Sequence, residues 1–169
     1  MTYGTRALVI AVLLLPFVPR PLQGQQLSMS AADVATVKTE VTAAIDKYYR
    51  LFSEQNPTAL SEEVFNIPWI VIGGSGPQAD VTKEQAAARF QGSMKQLVES
   101  GWGKSVFTTE NVCVLSANSA IASGYNTRYK TDGGVMSVGG VSYLLGKSKA
   151  GWRIVSYTGH ARGKIVRCD

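Results

Sequence analysis

Residues 30–60, SAADVATVKTEVTAAIDKYYRLFSEQNPTAL, carry the signals of two consecutive helices. Ser30 and Asp33 have the spacing of a capping box, with Asp in place of the usual Glu or Gln. Apolar side chains then recur at helical intervals, at Val34, Val37, Val41, Ile45, Tyr48 and Phe52. Asn56 and Pro57 end this helix and begin another, because Asn caps helices and Pro is favoured at the first helical position. The stretch predicts a long helix with one buried face and a short second helix.

A strand and a third helix follow this pair. Residues 67–74, IPWIVIGG, are β-branched and aromatic, and Gly-Ser-Gly-Pro at residues 74–77 is a turn signal. Thr82 and Gln85 form a second capping box. The apolar spacing after them predicts a helix that ends near Gly101.

From Trp102 onward the apolar period changes to two. The pattern predicts strands over residues 104–115, 120–129, 135–145 and 152–160. Their connections are short, and Asp132-Gly133 is a hairpin signal, so neighbouring strands are expected to be antiparallel. Helices before a run of strands predict an α+β fold, with N-terminal helices packed on one face of a curved antiparallel β-sheet.

A cavity is expected between the helices and this sheet. Gly139-Gly140 lies inside the third predicted strand of the series, where glycine marks a bulge, a bend or a close backbone approach. A strongly curved sheet covered by an amphipathic helix leaves a conical space, and such spaces bind ligands.

The first residues predict export. Arg6, an apolar run over residues 7–18 and a polar stretch with Pro and Gly have the layout of a secretory signal. We predict a signal peptide over residues 1–24 and one domain over residues 25–169, with its core at about 31–161. Localisation would be periplasmic or secreted, with no stable membrane insertion after cleavage.

Charge and cysteine content limit the function further. The net charge is +5, and removal of Arg6 and Arg20 leaves 15 basic and 12 acidic residues, or +3. No motif of a nucleic-acid-binding module accompanies this mild excess, so nucleic acid is not an expected partner. With one His and no Cys-x-x-Cys motif, no metal site and no cofactor is expected. Cys113 and Cys168 either form a disulfide or are a buried thiol and a mobile tail.

The order of elements resembles the NTF2-like superfamily, in particular its SnoaL-like and ketosteroid-isomerase-like branch. The resemblance covers residues 31–161 and is carried by YYRLFSEQNPTAL at 48–60 and Trp-Arg-Ile-Val at 152–155. It implies a cone-shaped α+β fold, a pocket between helices and sheet, and a homodimer formed through the outer face of the sheet. Members include isomerases, dehydratases, polyketide cyclases and domains without catalysis, so the fold does not fix the function.

The family's site residues transfer only in part. Tyr48 matches the place of the oxyanion-hole tyrosine of the isomerases. The strand that carries their carboxylate base has Ile-Val-Ile-Gly here, and no Asp or Glu occurs between Glu63 and Asp80. A related branch has paired histidines where this chain has Ser156 and Thr158, and His160 follows one pleat later.

Alternation in the last strand places Trp152, Ile154, Ser156, Thr158 and His160 on one face, which we expect to line the pocket. The expected ligand-binding residues are Tyr48, Phe52, Trp69, Phe90, Tyr125, Ser156, Thr158 and His160. The alternatives are ordinary core for the aromatic residues, a dimer face for Tyr125, and a solvated side chain for His160.

Three functions are compatible with these patterns. The first is an exported domain that binds a small, mostly apolar molecule in a conical pocket, with or without catalysis. The second is a SnoaL-like cyclase, isomerase or dehydratase that uses Tyr48 and His160 as polar catalysts. The third is a protein-interaction module that uses the exposed sheet.

Overall fold

The computed structural model describes residues 29–168. Helix α1 spans Ala31–Ser53 and begins at Ser30, whose hydroxyl accepts a hydrogen bond from the Asp33 backbone. Helix α2 is a single turn, Pro57–Ala59, and continues as a π-helical turn, Leu60–Val64. Helix α3 spans Lys83–Glu99, with the predicted capping box at its start.

Six strands form one sheet. They are β1 Phe65–Gly73, β2 Gly76–Asp80, β3 Trp102–Ser116, β4 Ser119–Lys130, β5 Val135–Ser148 and β6 Gly151–His160. Their order in the sheet is β2-β1-β6-β5-β4-β3. The predicted meander corresponds to β3 through β6, which pair antiparallel.

Two features of the sheet depart from the sequence prediction. The turn at residues 74–77 leads into an unpredicted strand, β2, which pairs with β1. Strand β1 then pairs with β6 in parallel, so the sheet is mixed rather than wholly antiparallel. The reason is topological: the chain from β1 to β6 passes through α3 and the meander, so no short turn imposes an antiparallel direction.

The predicted α+β cone is confirmed. Helices α1 and α3 cover the same face of the curved sheet, which we call the inner face, and the core lies between them. Its aromatic members are Tyr48, Tyr49, Phe52, Phe65, Trp69, Phe90, Trp102, Phe107 and Tyr143. The Tyr49 and Tyr143 hydroxyls are 2.7 Å apart, so the polar ends of these two buried rings satisfy each other.

A β-bulge in β6 changes which side chains face the core. Leu145 pairs with Ile154 and Leu144 pairs with Ser156, so Val155 is an extra residue with no partner on β5. Such a bulge reverses the alternation of a strand beyond it. Ile154 is buried in the core on one side of the bulge.

Beyond the bulge, Tyr157 occupies the inner face. Its ring centroid lies 5.4 Å from that of Trp69 and 5.7 Å from that of Tyr143. The expectation of one continuous pocket face is therefore wrong for Ser156, Thr158 and His160, which lie on the opposite, outer face of the sheet. Simple period-two counting fails because it assumes a strand without an inserted residue.

Residues 161–168 run across this outer face. The Val166 N–H donates to the Ser123 hydroxyl at 3.0 Å, and the Asn111 amide donates to the Val166 carbonyl at 3.1 Å. Cys168 forms a disulfide with Cys113 of β3, with 5.6 Å between the two Cα atoms. We call residues 161–168 the outer strap.

The predicted signal peptide, residues 1–24, lies outside the described residues. Within residues 29–168, none of the helices combines the length and the apolar character needed to cross a membrane.

The disulfide gives the first prediction. The two cysteines are 55 residues apart, and the chain-entropy relation gives about 4 kcal/mol for closing such a loop. Cys168→Ser should lower the free energy of unfolding by up to that amount, measured by denaturant titration. Lys164→Ser changes the same strap without removing the bond and should stay within about 0.5 kcal/mol of wild type. Equal effects of the two variants would contradict a stabilising disulfide.

Candidate functional site

The cone contains a cavity of about 360 Å³ between α1, α3 and the inner face of the sheet. We call it the cone cavity. Its lining consists of Tyr48, Phe52, Arg89, Phe90, Ser93, Gln96, Leu97, Ser100, Arg128 and Tyr157. We call its aromatic members, Tyr48, Phe52, Phe90 and Tyr157, the floor; its polar members include Arg89, Ser93 and Gln96 of α3.

The floor rings are fixed by mutual packing. The ring of Tyr48 meets those of Phe52 and Phe65 edge to face, at centroid distances of 5.8 and 5.4 Å. Burial raises the pKa of the Tyr48 phenol well above its usual value, and burial likewise raises the pKa of Tyr157. Both phenols are consequently neutral at physiological pH and available as hydrogen-bond donors.

Arg89 is held in place by a buried acid. Its Nε and Nη2 donate to the two carboxylate oxygens of Asp80 at 2.6 and 2.9 Å, and its Nη1 donates to Gln78 at 2.6 Å. The Asp80 side chain is only 6% exposed. The pair ties α3 to the end of β2, and the carboxylate offsets the Arg89 charge.

Arg128 has no such partner. It lies on the inner face of β4, opposite Ser105 of β3 and Ser137 of β5. None of the ion pairs among the described residues involves it. Its Nε is buried without a hydrogen-bond partner there. Its positive charge acts on Tyr48 and Tyr157, where it opposes the rise in pKa caused by burial.

Two further buried polar atoms on the inner side lack partners among the described residues. They are Oδ1 of Asn126, two residues before Arg128 on the same face of β4, and Nε1 of Trp69 on β1. Buried polar atoms of this kind are rare in folded proteins, and each calls for a water, an ion or a ligand. Asn126 and Arg128 therefore each place a buried polar atom without a hydrogen-bond partner on the same segment of β4.

The structure separates the predicted site residues into two groups. Tyr48, Phe52 and Phe90 line the cone cavity. Trp69 packs behind it, stacked on Phe90 at 5.5 Å, and does not belong to the lining. The remaining four, Tyr125, Ser156, Thr158 and His160, are on the outer face.

The outer-face group takes part in a different structure, so its expected place in the pocket is corrected. Tyr125 carries the Arg162 guanidinium over its ring at 5.0 Å. Ser156 and Thr158 line a shallow apolar groove with Ile72 and Leu144.

His160 belongs to a hydrogen-bond chain that holds the outer strap. Its Nδ1–H donates to the Ala161 carbonyl at 2.9 Å, so its Nε2 accepts from the Ser142 hydroxyl, also at 2.9 Å. Ser142 and Ser123 are linked hydroxyl to hydroxyl at 2.7 Å, and Ser123 accepts from Val166. Gly140 lies opposite His160, and a side chain there would collide with the imidazole.

Sequence reasoning missed the polar half of the cavity, above all Arg89, Arg128 and Tyr157. For Arg128 a signal exists: it continues the inner register of β4 that begins with the fully buried Ala120 and Ala122. An arginine on a core-facing register is unusual and points to a functional residue. For Tyr157 the sequence gives no such signal, because the bulge changes the face on which this residue lies.

Residues 29–168 contain no group of three His, Cys, Asp or Glu side chains that could hold a metal ion.

Comparison with models of protein families shows which family this chain belongs to. The sequence model described as NTF2-like protein (DUF6841) matches residues 39–162. The chain belongs to this NTF2-like family. The predicted resemblance to the NTF2-like superfamily is thereby confirmed. No functionally curated protein matches the sequence.

Solved structures share the fold of this NTF2-like chain. An NTF2-like superfamily protein from Salmonella enterica is 23% identical, with a TM-score of 0.58 over 78% of this chain and 94% of its own. A ketosteroid isomerase-like protein from Erwinia carotovora is 20% identical, with a TM-score of 0.51 over 72% and 92%. Aln2 from Streptomyces is 14% identical, with a TM-score of 0.61 over 75% and 90%. At these identities the likeness concerns the fold alone.

The buried ion pair of the cavity wall gives the second prediction. Arg89→Leu leaves the Asp80 carboxylate buried without a cation and should lower the free energy of unfolding by roughly 3 kcal/mol. Adding Asp80→Asn should recover part of this loss, because the uncompensated charge is then gone. Lys95→Leu removes an exposed pair with Glu99 on the same helix and should cost less than about 1 kcal/mol. Losses in the double variant equal to the sum of the single losses would contradict coupling.

Proposed function

We propose that this NTF2-like chain binds a small, mostly apolar molecule in the cone cavity. The observation that carries the proposal is the aromatic-floored cavity itself. Its volume of about 360 Å³ falls at the lower end of the range of roughly 300–1,000 Å³ in which small-molecule sites lie. Rings at the floor supply apolar contact area, and a few polar groups would orient the bound molecule.

The residue types of the lining support binding more than proton transfer. In the part of the chain that the structure describes, no Asp, Glu or His lines the cavity, and the lining phenols have raised pKa values. General acid–base catalysis near neutral pH favours groups with a pKa close to that pH. The enzyme alternative that pairs Tyr48 with His160 requires both on one substrate, whereas the sheet separates them.

We also infer export to an oxidising compartment, periplasmic or extracellular. Two observations support this inference: the signal-like layout of residues 1–24, and the Cys113–Cys168 disulfide, a bond that persists in such compartments.

Self-association through the outer face is a further proposal. Ile70 and Ile72 of β1 are each 45% exposed, and Leu144 of β5 is 38% exposed. Ile72 and Leu144 line the apolar groove, to which Val166 of the outer strap also contributes. A contiguous apolar patch of this kind marks an interaction surface, and a second copy of the chain would cover it in a homodimer.

Ligand uptake gives the third prediction. N-phenyl-1-naphthylamine, a neutral probe that fluoresces in apolar surroundings, should bind the purified chain with saturable fluorescence. Ser93→Trp places a large ring on the cavity wall and should reduce that uptake at least about tenfold by occupying the volume. Ala88→Trp adds the same ring to an exposed position of α3 outside the lining and should leave uptake unchanged. Equal uptake by both variants would refute binding in the cone cavity.

The homodimer gives the fourth prediction. Ile72→Lys puts a charge in the centre of the apolar patch and should shift sedimentation velocity profiles from dimer to monomer, because the interface would have to bury that charge. Val81→Lys alters another exposed apolar residue, which is not part of the groove lining, and should not change the profile. A wild-type chain that is monomeric at all concentrations would instead favour an interaction module for another protein.

A further inference from the structure

We propose that the molecule bound in the cone cavity is an organic carboxylate, with its anionic group on Arg128 and its apolar body on the aromatic floor. This inference rests on the proposed function, since it names the chemical class of the ligand for the same cavity. It differs from that function in requiring a charge on the ligand.

The charge balance of the lining supports an anion. Among residues 29–168, two guanidinium groups and no acidic side chain line the cavity. Asp80 offsets Arg89 through two hydrogen bonds. Arg128 takes part in none of the ion pairs among the described residues, so one positive charge in the cavity wall is not offset.

The chemistry of the Arg128 guanidinium further restricts the class of ligand that fits the cavity. A guanidinium presents its N–H donors in a rigid planar fork, which matches the geometry of a carboxylate. Its Nε is buried with no partner among residues 29–168. A carboxylate accepts two parallel hydrogen bonds from a guanidinium edge and would supply the opposite charge that the described residues do not.

Other polar groups of the cavity fit the same ligand. The neutral Tyr48 phenol also lines the cavity, and its O–H can donate a hydrogen bond to a bound anion. A single unmatched positive charge balances a monoanion. A phosphate monoester, which carries nearly two negative charges at neutral pH, would leave an excess that nothing in the lining offsets.

The test compares two probes of the same shape. Binding of 2-naphthoate and its neutral amide, 2-naphthamide, to the purified full chain is measured by isothermal titration calorimetry. Wild type should bind the carboxylate at least about tenfold more tightly, as expected for a charge-assisted hydrogen bond that the amide lacks. Arg128→Met should abolish this preference by weakening naphthoate at least about tenfold, and it should leave naphthamide within about twofold.

Two further variants make the result specific. Arg167→Met removes the same charge from an exposed position of the outer strap and should leave both affinities unchanged. Arg128→Lys keeps the charge but loses the planar fork, so naphthoate should weaken by less than in Arg128→Met. Should Arg128→Met fail to fold, Arg128→Lys decides the matter: weaker naphthoate binding with unchanged naphthamide binding supports the proposal, and unchanged binding of both probes overturns it.

The outcomes separate this inference from the proposed function. If wild type binds the two probes with equal affinity and Arg128→Met changes neither affinity, the carboxylate proposal is wrong and the ligand of the cavity is neutral. Absence of naphthoate binding in a chain that takes up N-phenyl-1-naphthylamine overturns it too. Absence of binding by all three probes contradicts the proposed function itself. If Arg128 serves ligand binding, Arg128→Met should not lower the melting temperature of the free protein. Loss of a purely structural arginine would lower it.

Discussion

The aromatic contact between α1 and the inner face of the sheet is the interaction on which the rest of the structure depends. Tyr48 of α1 packs on Tyr143, Tyr49 stacks on Phe107, and Phe52 meets Trp102 edge to face. The hydroxyl contact between Tyr49 and Tyr143 satisfies two polar atoms that burial would otherwise leave unpaired. This contact holds the helix over a curved sheet, and the curvature is what leaves room for a cavity beside it.

The inner and outer faces of the sheet carry different groups of side chains because β6 contains one inserted residue. The bulge at Val155 turns Tyr157 inward to the cavity and turns Ser156, Thr158 and His160 outward. On the inside, Arg128 and the neutral phenols create a polar end in an apolar cone. On the outside, the only histidine of the chain holds the strap that the disulfide anchors.

Prediction from sequence succeeded where local rules decide the structure. The caps at Ser30 and Thr82, the helix start at Asn56 and the four meander strands follow from spacing and turn chemistry, which act over a few residues. Prediction was incomplete for β1. Its parallel partner β6 comes some 80 residues later in the chain, so no local sequence pattern indicates the pairing. Of the expected site residues, Tyr48, Phe52 and Phe90 lie on helices with unbroken periodicity and line the cone cavity, whereas those beyond the bulge lie on the outer face.

The sequence by itself determined the elements, their order and the apolar faces that make an α+β cone, because helix and strand periods report burial directly. Only the tertiary structure decided the charge of the cavity. Asp80 and Arg89 meet through the contact of β2 with α3, and Arg128 stays without an acid because no carboxylate among the described residues reaches it. Electrostatic pairing depends on distances between elements, which a periodic pattern does not contain.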